Sequence, residues 1–280
     1  MKDKAFSSID LVGQCLIDSQ RTEVFKDAIK SIVKSHHTVL DAGTGSGIMA
    51  LFAARAGAKK VFAIEYDQYI AEVAKRDFFE NGFNKKIKLL TGNAKNYIYP
   101  QHTHFDVVIM EMLTTGMVDE FQVQAVNNLH NRKVVKANTI FIPKAQKTYV
   151  ALANTDFNLY GFEIQMVQHL WKGFPGNDRC KIISNKELLH EISFNLPNDE
   201  FFNHIVDFKA NEDTIVNSIF LSSVTILTDS LKIGDTLSLN GPVVFPIKPF
   251  KTKKGQSIKL SISYKFGGGF KNLNVRLLKK

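Results

Sequence analysis

Glycines at alternate positions, with an acidic residue on each side, carry the clearest chemical signal in the chain. Residues 39–47 read Val-Leu-Asp-Ala-Gly-Thr-Gly-Ser-Gly, with Asp41 ahead of the three glycines, and Glu65 follows eighteen residues after the last of them. Such glycines allow a tight turn that brings a ligand close to the backbone. A carboxylate at the end of the next strand can accept hydrogen bonds from both hydroxyls of a ribose. The pattern predicts a site for a nucleoside-containing cofactor.

The glycine spacing favours one class of nucleoside cofactor over another. A dinucleotide loop normally reads G-x-G-x-x-G, whereas this loop reads G-x-G-x-G. A carboxylate at position 41 would repel a pyrophosphate but could help to hold a cationic amino acid. We therefore predict S-adenosylmethionine as the cofactor, bound by residues that include Asp41, Gly43, Thr44, Gly45 and Glu65. The alternative is a turn between strand and helix that binds no nucleotide.

The elements around this loop alternate between strand and helix patterns. Residues 11–33 read mainly as helix. Strands are predicted at 38–41, 60–65, 86–91, 105–110 and near 138–142, and helices at 46–56, 68–82 and 117–130. This alternation predicts a parallel sheet with helices on both faces, that is, a Rossmann-like α/β domain over residues 1–144.

The pattern changes after Pro143 to short stretches in which polar and apolar residues alternate. Examples are residues 148–152, 219–227 and 257–264, and the three glycines at 267–269 are predicted to connect two strands of a hairpin. A helix is predicted near residues 185–191. We expect an antiparallel β-barrel-like domain over residues 145–280.

Composition narrows the class of protein. The 280 residues are 44% hydrophobic, which is enough for a sizeable core. The two cysteines lie far apart and suggest neither a disulfide framework nor a zinc site. Residues 1–10 hold no apolar signal core, and no run approaches the length of a membrane span. These features predict a soluble cytoplasmic protein without a membrane partner.

Positive charge is concentrated near the C-terminus. Residues 246–280 contain ten Lys or Arg and no acidic residue, and the formal net charge of the chain is +9. Such a region could bind RNA or an acidic protein. The alternative, a solvated strand face with a charged tail, is favoured because no aromatic-interleaved RNA motif accompanies the charge.

Several motifs resemble the protein arginine N-methyltransferase family over most of residues 11–152. They are the glycine loop with Glu65, the run Leu-Ile-Asp at 16–18 followed by Arg21 and Thr22, and the strand pattern at 105–111. The resemblance implies that Arg21 binds the carboxylate of S-adenosylmethionine, a role that suits its fork of donors. The alternative for Arg21 is a surface position on a helix. The family usually dimerises, so the resemblance also implies a homodimer.

The resemblance assigns catalysis to two glutamates. Glu111 ends the strand pattern at 105–111, and Glu120 follows nine residues later. The family has two glutamates at this separation, and they clamp the substrate guanidinium. Two carboxylates can accept paired hydrogen bonds from that planar cation and orient one nitrogen toward the methyl group. Asp119 and Glu120 could instead only favour the N-terminus of the next helix.

The pair Asn93 and Ala94 follows the third predicted strand, where many related methyltransferases contact adenine. The side-chain oxygen of Asn93 could meet the adenine edge. Because asparagine after glycine is common in turns, a turn without a binding role is the alternative.

Three departures from the family leave the substrate open. The loop between the glutamates lacks aromatics, no Thr-His-Trp loop is found where residues 239–244 stand, and the N-terminal helix has Val12 where the family has a histidine. We also expect a shortened dimerisation arm around residues 158–181. We therefore predict an N-methyltransferase that acts on a protein or small-molecule nitrogen. The alternatives are a methyltransferase acting on RNA or a metabolite, and a protein that binds the cofactor without turnover.

Overall fold

A computed structural model of the protein describes residues 8–171 and 177–278. Its first half contains α1 (Ile9–Ile17), α2 (Ser19–Ile32), β1 (Thr38–Ala42), α3 (Ile48–Arg55), β2 (Lys60–Glu65), α4 (Gln68–Glu80), β3 (Ile87–Thr91), β4 (Val107–Ile109), a 3₁₀ turn (Thr115–Met117), α5 (Gln122–Asn131) and β5 (Ile140–Ile142). The five strands form one parallel sheet in the order β3-β2-β1-β4-β5. The Rossmann-like half is therefore confirmed.

Alternate residues of the parallel strands bury their side chains on opposite faces of the sheet, as strand geometry requires. Val39, Val61 and Ile109 share a core cluster with α2, α3 and α4. Leu40 and Val108 belong to a second cluster, which also contains α5 residues and residues of the antiparallel strands. One apolar core thus joins the two halves of the chain.

The second half is antiparallel. It contains β6 (Ala145–Thr155), β7 (Asn158–Leu159), β8 (Phe162–Glu163), β9 (Gln168–His169), a 3₁₀ turn (Asn177–Arg179), β10 (Cys180–Ile182), β11 (Glu187–Ser193), β12 (Phe201–Lys209), β13 (Thr214–Ile226), β14 (Lys232–Ile233), β15 (Val243–Thr252), β16 (Ser257–Lys265), a 3₁₀ turn (Phe270–Asn272) and β17 (Asn274–Leu277). The strands form sheets of seven, three and two strands, and within the described residues they do not close into one barrel.

Two predicted helices differ from the structure. The helix expected near residues 185–191 is wrong: this segment contains β11, which pairs antiparallel with β6. The open edge of β6 supplies backbone partners there, and such pairing overrides weak local preference. The helix expected at 117–130 begins only at Gln122, because residues 115–117 form a 3₁₀ turn in which Gly116 and Met117 have φ values of +69° and +51°.

Other predicted segments are described only in part. The glycines at 267–269 lie, as predicted, in the connection between β16 and β17, which pair antiparallel. The segment 158–181, predicted as a shortened arm, includes the β7–β8 hairpin, but its residues 172–176 lie outside the described part. Among the helices of the described ranges, none has the length and apolar character needed to cross a membrane.

Candidate active site

The glycine loop after β1 is tied to the end of β2. The backbone N–H groups of Gly43 and Thr44 both donate to the carbonyl oxygen of Ile64, at 3.0 and 2.9 Å. Gly47 caps α3 with a φ of +82°, and a Cβ atom at this position would lie 2.5 Å from the Phe78 ring. Glycine is therefore required at position 47 both for the backbone conformation and for space.

Glu65 lies at the carboxyl end of β2, where ligands gather in open α/β sheets. One carboxylate oxygen accepts a hydrogen bond from Gly45 N–H at 2.9 Å. The other accepts from the N–H groups of Tyr66 and Asp67, at 2.8 and 2.9 Å. Three backbone donors thus fix the carboxylate, which keeps further acceptor capacity for a ribose.

A crevice with a cavity volume of about 130 Å³, open to solvent at its mouth, lies beside the glycine loop. Nine of the ten residues predicted from the sequence line it: Arg21, Gly43, Thr44, Gly45, Glu65, Asn93, Ala94, Glu111 and Glu120. The structure therefore brings the predicted cofactor and substrate residues to one cavity.

Asp41 is the exception, since it does not line the crevice. Its carboxylate is fully buried and accepts a hydrogen bond from the Thr44 hydroxyl at 2.5 Å, while its other oxygen has no hydrogen-bond partner among the described residues. Burial raises the pKa of the Asp41 carboxyl to about 7, although the Thr44 hydrogen bond opposes this rise. In this geometry Asp41 supports the glycine loop from below.

Arg21 is buried between the two halves of the protein. Its Nε atom donates to a carboxylate oxygen of Glu111, and its Nη1 atom donates to the carbonyl oxygen of Ser238 at 2.7 Å. Burial lowers the pKa of the Arg21 guanidinium, and the negative groups around it oppose this change. The interpretation of Arg21 as a surface residue is wrong.

Asn93 lies in a turn at the edge of the crevice, and its contact with adenine stays a prediction. Its side-chain oxygen accepts the N–H of Lys95 at 3.1 Å, so it forms a turn, and it also lines the crevice. The carbonyl oxygen of Ala94 accepts from the Asn128 side chain at 2.9 Å, which ties this turn to α5.

Glu111 and Glu120 stand at the two ends of residues 111–120, here called the acidic loop. Residues 113–118 of this loop are buried, while the two glutamates face the crevice. Burial raises the pKa of Glu120 to about 7, and the positive charge of Arg21 opposes that rise. A carboxyl group with this pKa can accept a proton near neutral pH.

Two walls of the crevice were missed by sequence reasoning. The first is α1, which contributes Val12, Cys15 and Leu16 although none of its residues is buried. The second is Leu239, which lies beside Ser238 in a turn from the antiparallel half. Residues 239–244 stand where the family's Thr-His-Trp loop is absent, and no local pattern in them indicates a contact across more than two hundred residues of chain.

The crevice fits a nucleoside cofactor with an amino-acid tail. A Cβ atom at Gly43 would lie 3.0 Å from the Met112 sulfur, and one at Gly45 would lie 3.3 Å from a Val12 methyl group. Both glycines also have a positive φ, +75° and +52°, which favours glycine at the floor of the crevice. Glu65 suits ribose hydroxyls, and the Arg21 guanidinium suits a carboxylate.

Sequence relatives agree with this geometry. The chain is 31% identical over 262 residues to an uncharacterised protein of Methanocaldococcus jannaschii, with 94% of each chain covered. It is 28% identical to "Protein arginine N-methyltransferase 1" of Oryza sativa subsp. indica, over 71% of this chain and 55% of the rice protein. The chain therefore spans about half the length of this relative.

A solved structure shares the fold. The Trypanosoma brucei PRMT1 enzyme-prozyme heterotetrameric complex with AdoHcy matches 97% of this chain and 98% of its own, with a TM-score of 0.74 and 17% identity. Both the parallel and the antiparallel halves thus occur together in a known architecture.

A family model completes the comparison. The model described as Ribosomal protein L11 methyltransferase (PrmA) matches residues 20–170, which is more than half of the chain. This span includes the glycine loop, Glu65 and the acidic loop. Methyl transfer by such enzymes uses S-adenosylmethionine, in agreement with the cofactor predicted from the sequence. The chain is a methyltransferase that belongs to the Ribosomal protein L11 methyltransferase (PrmA) family and resembles the protein arginine N-methyltransferases.

Proposed function

We propose that this methyltransferase transfers a methyl group to a protein nitrogen held between Glu111 and Glu120. One observation carries the proposal: both carboxylates face the crevice that the glycine loop and Glu65 also line. When bound, S-adenosylmethionine supplies an electrophilic methyl group on a sulfonium. Gly43, Gly45 and Glu65 would hold its nucleoside part.

The two glutamates have different roles in the proposed reaction. Glu111 accepts hydrogen bonds from the substrate cation and orients it, while its own position is fixed by Arg21. Glu120 has a pKa near 7 because of burial, so it can take the proton that the nitrogen loses. The carboxylates thereby favour the nucleophilic lone pair at the methylated nitrogen.

Arginine is the proposed substrate side chain. The family description names a ribosomal protein, and the rice relative is named for protein arginine, so both point to nitrogen in a protein. A planar guanidinium offers two parallel donors to each carboxylate, which a single ammonium cannot match. This geometry favours arginine over lysine.

We further propose that residues 145–280 form a substrate and dimerisation domain beside the methyltransferase domain of residues 1–144. The β7–β8 hairpin exposes Tyr160 and Phe162, which is consistent with a contact surface for a second protomer. The basic residues of 246–278 are spread over β15, β16, β17 and their connections, and Lys279 and Lys280 lie outside the described residues. RNA binding there is a weaker proposal.

The experiment is incubation with methyl-labelled S-adenosylmethionine and cell extract, followed by separation into protein, RNA and small-molecule fractions. We expect label in protein, at arginine after hydrolysis. Glu111→Gln should abolish labelling, while calorimetry with AdoHcy should still show binding. Glu23→Gln is the matched control, because Glu23 is an exposed glutamate on α2 that pairs only with Lys26 among its described contacts.

Three results would contradict the proposal or part of it. Label confined to RNA or small molecules would redirect the substrate class to the alternatives named above. Full activity of Glu111→Gln would remove the glutamate from catalysis. The absence of AdoHcy binding by the unmodified protein would overturn the cofactor site itself.

A further inference from the structure

The backbone of Gly116, in the middle of the acidic loop, is held on both sides of its Cα atom by the antiparallel half. Its N–H donates to the Ser223 hydroxyl on β13 at 2.9 Å, and its carbonyl oxygen accepts from the Tyr264 hydroxyl on β16 at 2.9 Å. Ser223 and Tyr264 are each 1% exposed. Buried hydrogen bonds of this kind are costly to break, because the groups left behind find no water.

A buried histidine extends this contact. His190 on β11 lies 2.5 Å from the Tyr264 hydroxyl through its Nε2 atom. Because the single hydroxyl hydrogen of Tyr264 points to Gly116, the hydroxyl oxygen must accept from Nε2–H. Burial lowers the pKa of His190 to about 3, so the ring is neutral and carries one N–H. The chain therefore runs from His190 through Tyr264 to Gly116, and each bond polarises the next.

The neighbours of Gly116 are anchored in the same way. The carbonyl oxygen of Thr114 accepts from Gln146 at 3.0 Å, and the Thr115 hydroxyl donates to the Gly241 carbonyl at 2.6 Å. Beyond the glycine, the carbonyl oxygens of Met117 and Val118 accept from backbone N–H groups at 267 and 269, at 3.0 and 2.9 Å. The loop backbone is thus fixed from outside the parallel sheet.

We infer that Tyr264, supported by His190, is a positioning residue that sets the geometry of the Glu111–Glu120 pair through Gly116. Tyr264 does not line the crevice and touches neither carboxylate, so it acts only through the loop. The inference rests on the proposed function, because it assumes that the two glutamates orient the substrate. It assigns to the antiparallel half a part in catalysis besides substrate contact.

The test is Tyr264→Phe, which removes one hydroxyl and keeps the ring. We expect kcat to fall about tenfold, since a small displacement of positioning groups costs this much, while the Kd for AdoHcy stays within about twofold. Tyr99→Phe is the matched control: Tyr99 is also buried, but its hydroxyl has no hydrogen-bond partner in the described structure. Ile262→Val controls for destabilisation, because Ile262 is fully buried on the same strand.

A second measurement does not depend on the substrate. Hydrogen exchange of a peptide spanning 112–120, with AdoHcy bound, should be about tenfold faster in Tyr264→Phe than in either control, because the loop loses an anchor. Unchanged exchange, or a kcat within twofold of wild type, would overturn the inference. If Glu111→Gln keeps full activity while exchange still changes, the proposed role of the glutamates fails and the anchoring stands.

Discussion

The Nε atom of Arg21 donates to a carboxylate oxygen of Glu111, although ninety residues separate them in the chain. The side chains are 2% and 14% exposed, so little water screens the pair. A residue predicted to bind the cofactor therefore holds a residue proposed to bind the substrate. From the two roles proposed for these residues, we expect binding at either position to change the surroundings of the other.

Arg21→Ala should lower the free energy of unfolding by about 3 kcal/mol, because it leaves the Glu111 carboxylate without its cation in a mostly buried place. Urea unfolding measures this change. Lys26→Ala is the control on the same helix, since its pair with Glu23 is exposed and should contribute less than about 1 kcal/mol. Equal changes in the free energy of unfolding for the two substitutions would show that the buried pair stabilises the protein no more than the exposed pair does.

Activity should rise with pH through about 7 as Glu120 ionises. The sign follows from its role: a base must be deprotonated, and burial has moved its pKa upward, so the rise comes near 7 instead of below 5. The measurement is the pH dependence of kcat/KM. Glu120→Gln should lower kcat about 100-fold and remove the rise. A rise that persists in Glu120→Gln would assign the titration to another group.

Asp41 should make the ligand-free protein less stable as pH increases from about 4 to about 7. Over this range the unfolded chain has released a proton that the folded protein keeps, so rising pH favours unfolding, by up to about 4 kcal/mol in total. Asp41→Asn cannot titrate and can still accept from Thr44. Its stability relative to wild type should therefore increase with pH in urea unfolding. Parallel curves for the two proteins would contradict the raised pKa.

Gly47→Ala should destabilise the protein by about 2 kcal/mol more than Gly57→Ala. Both glycines have positive φ, but a Cβ atom meets the Phe78 ring only at position 47, whereas at position 57 it meets nothing within 4 Å. Thermal unfolding compares the two variants. Adding Phe78→Leu, which shortens the obstructing side chain, should reduce the difference, and a failure to do so would rule out the clash as its cause.

Local patterns predicted the parallel half well. Buried strands, the glycine loop and Glu65 lie within thirty residues of one another, so periodicity and spacing describe them. The position of the Asp41 side chain was predicted less accurately. Its direction depends on the alternation of side chains along β1 and on the geometry of the glycine loop, and it lies below the crevice instead of lining it.

Contacts between distant segments could not be predicted. The partner of Arg21 at Ser238 and the partner of Gly116 at Tyr264 lie 217 and 148 residues away in sequence. Neither Ser238 nor Tyr264 belongs to a sequence motif. The error at residues 185–191 has the same origin, because the strand there exists only by pairing with β6.

The apolar cluster shared by Val108, Phe141, Leu152 and Leu260 has a consequence for engineering. A chain cut after residue 144 would expose part of that cluster to water. We therefore expect the nucleoside-binding half not to fold stably by itself. If the antiparallel half were exchanged between relatives, the residues that pack against the parallel half would have to be kept. Otherwise we expect the hybrid to fail to fold, and its activity could not be measured.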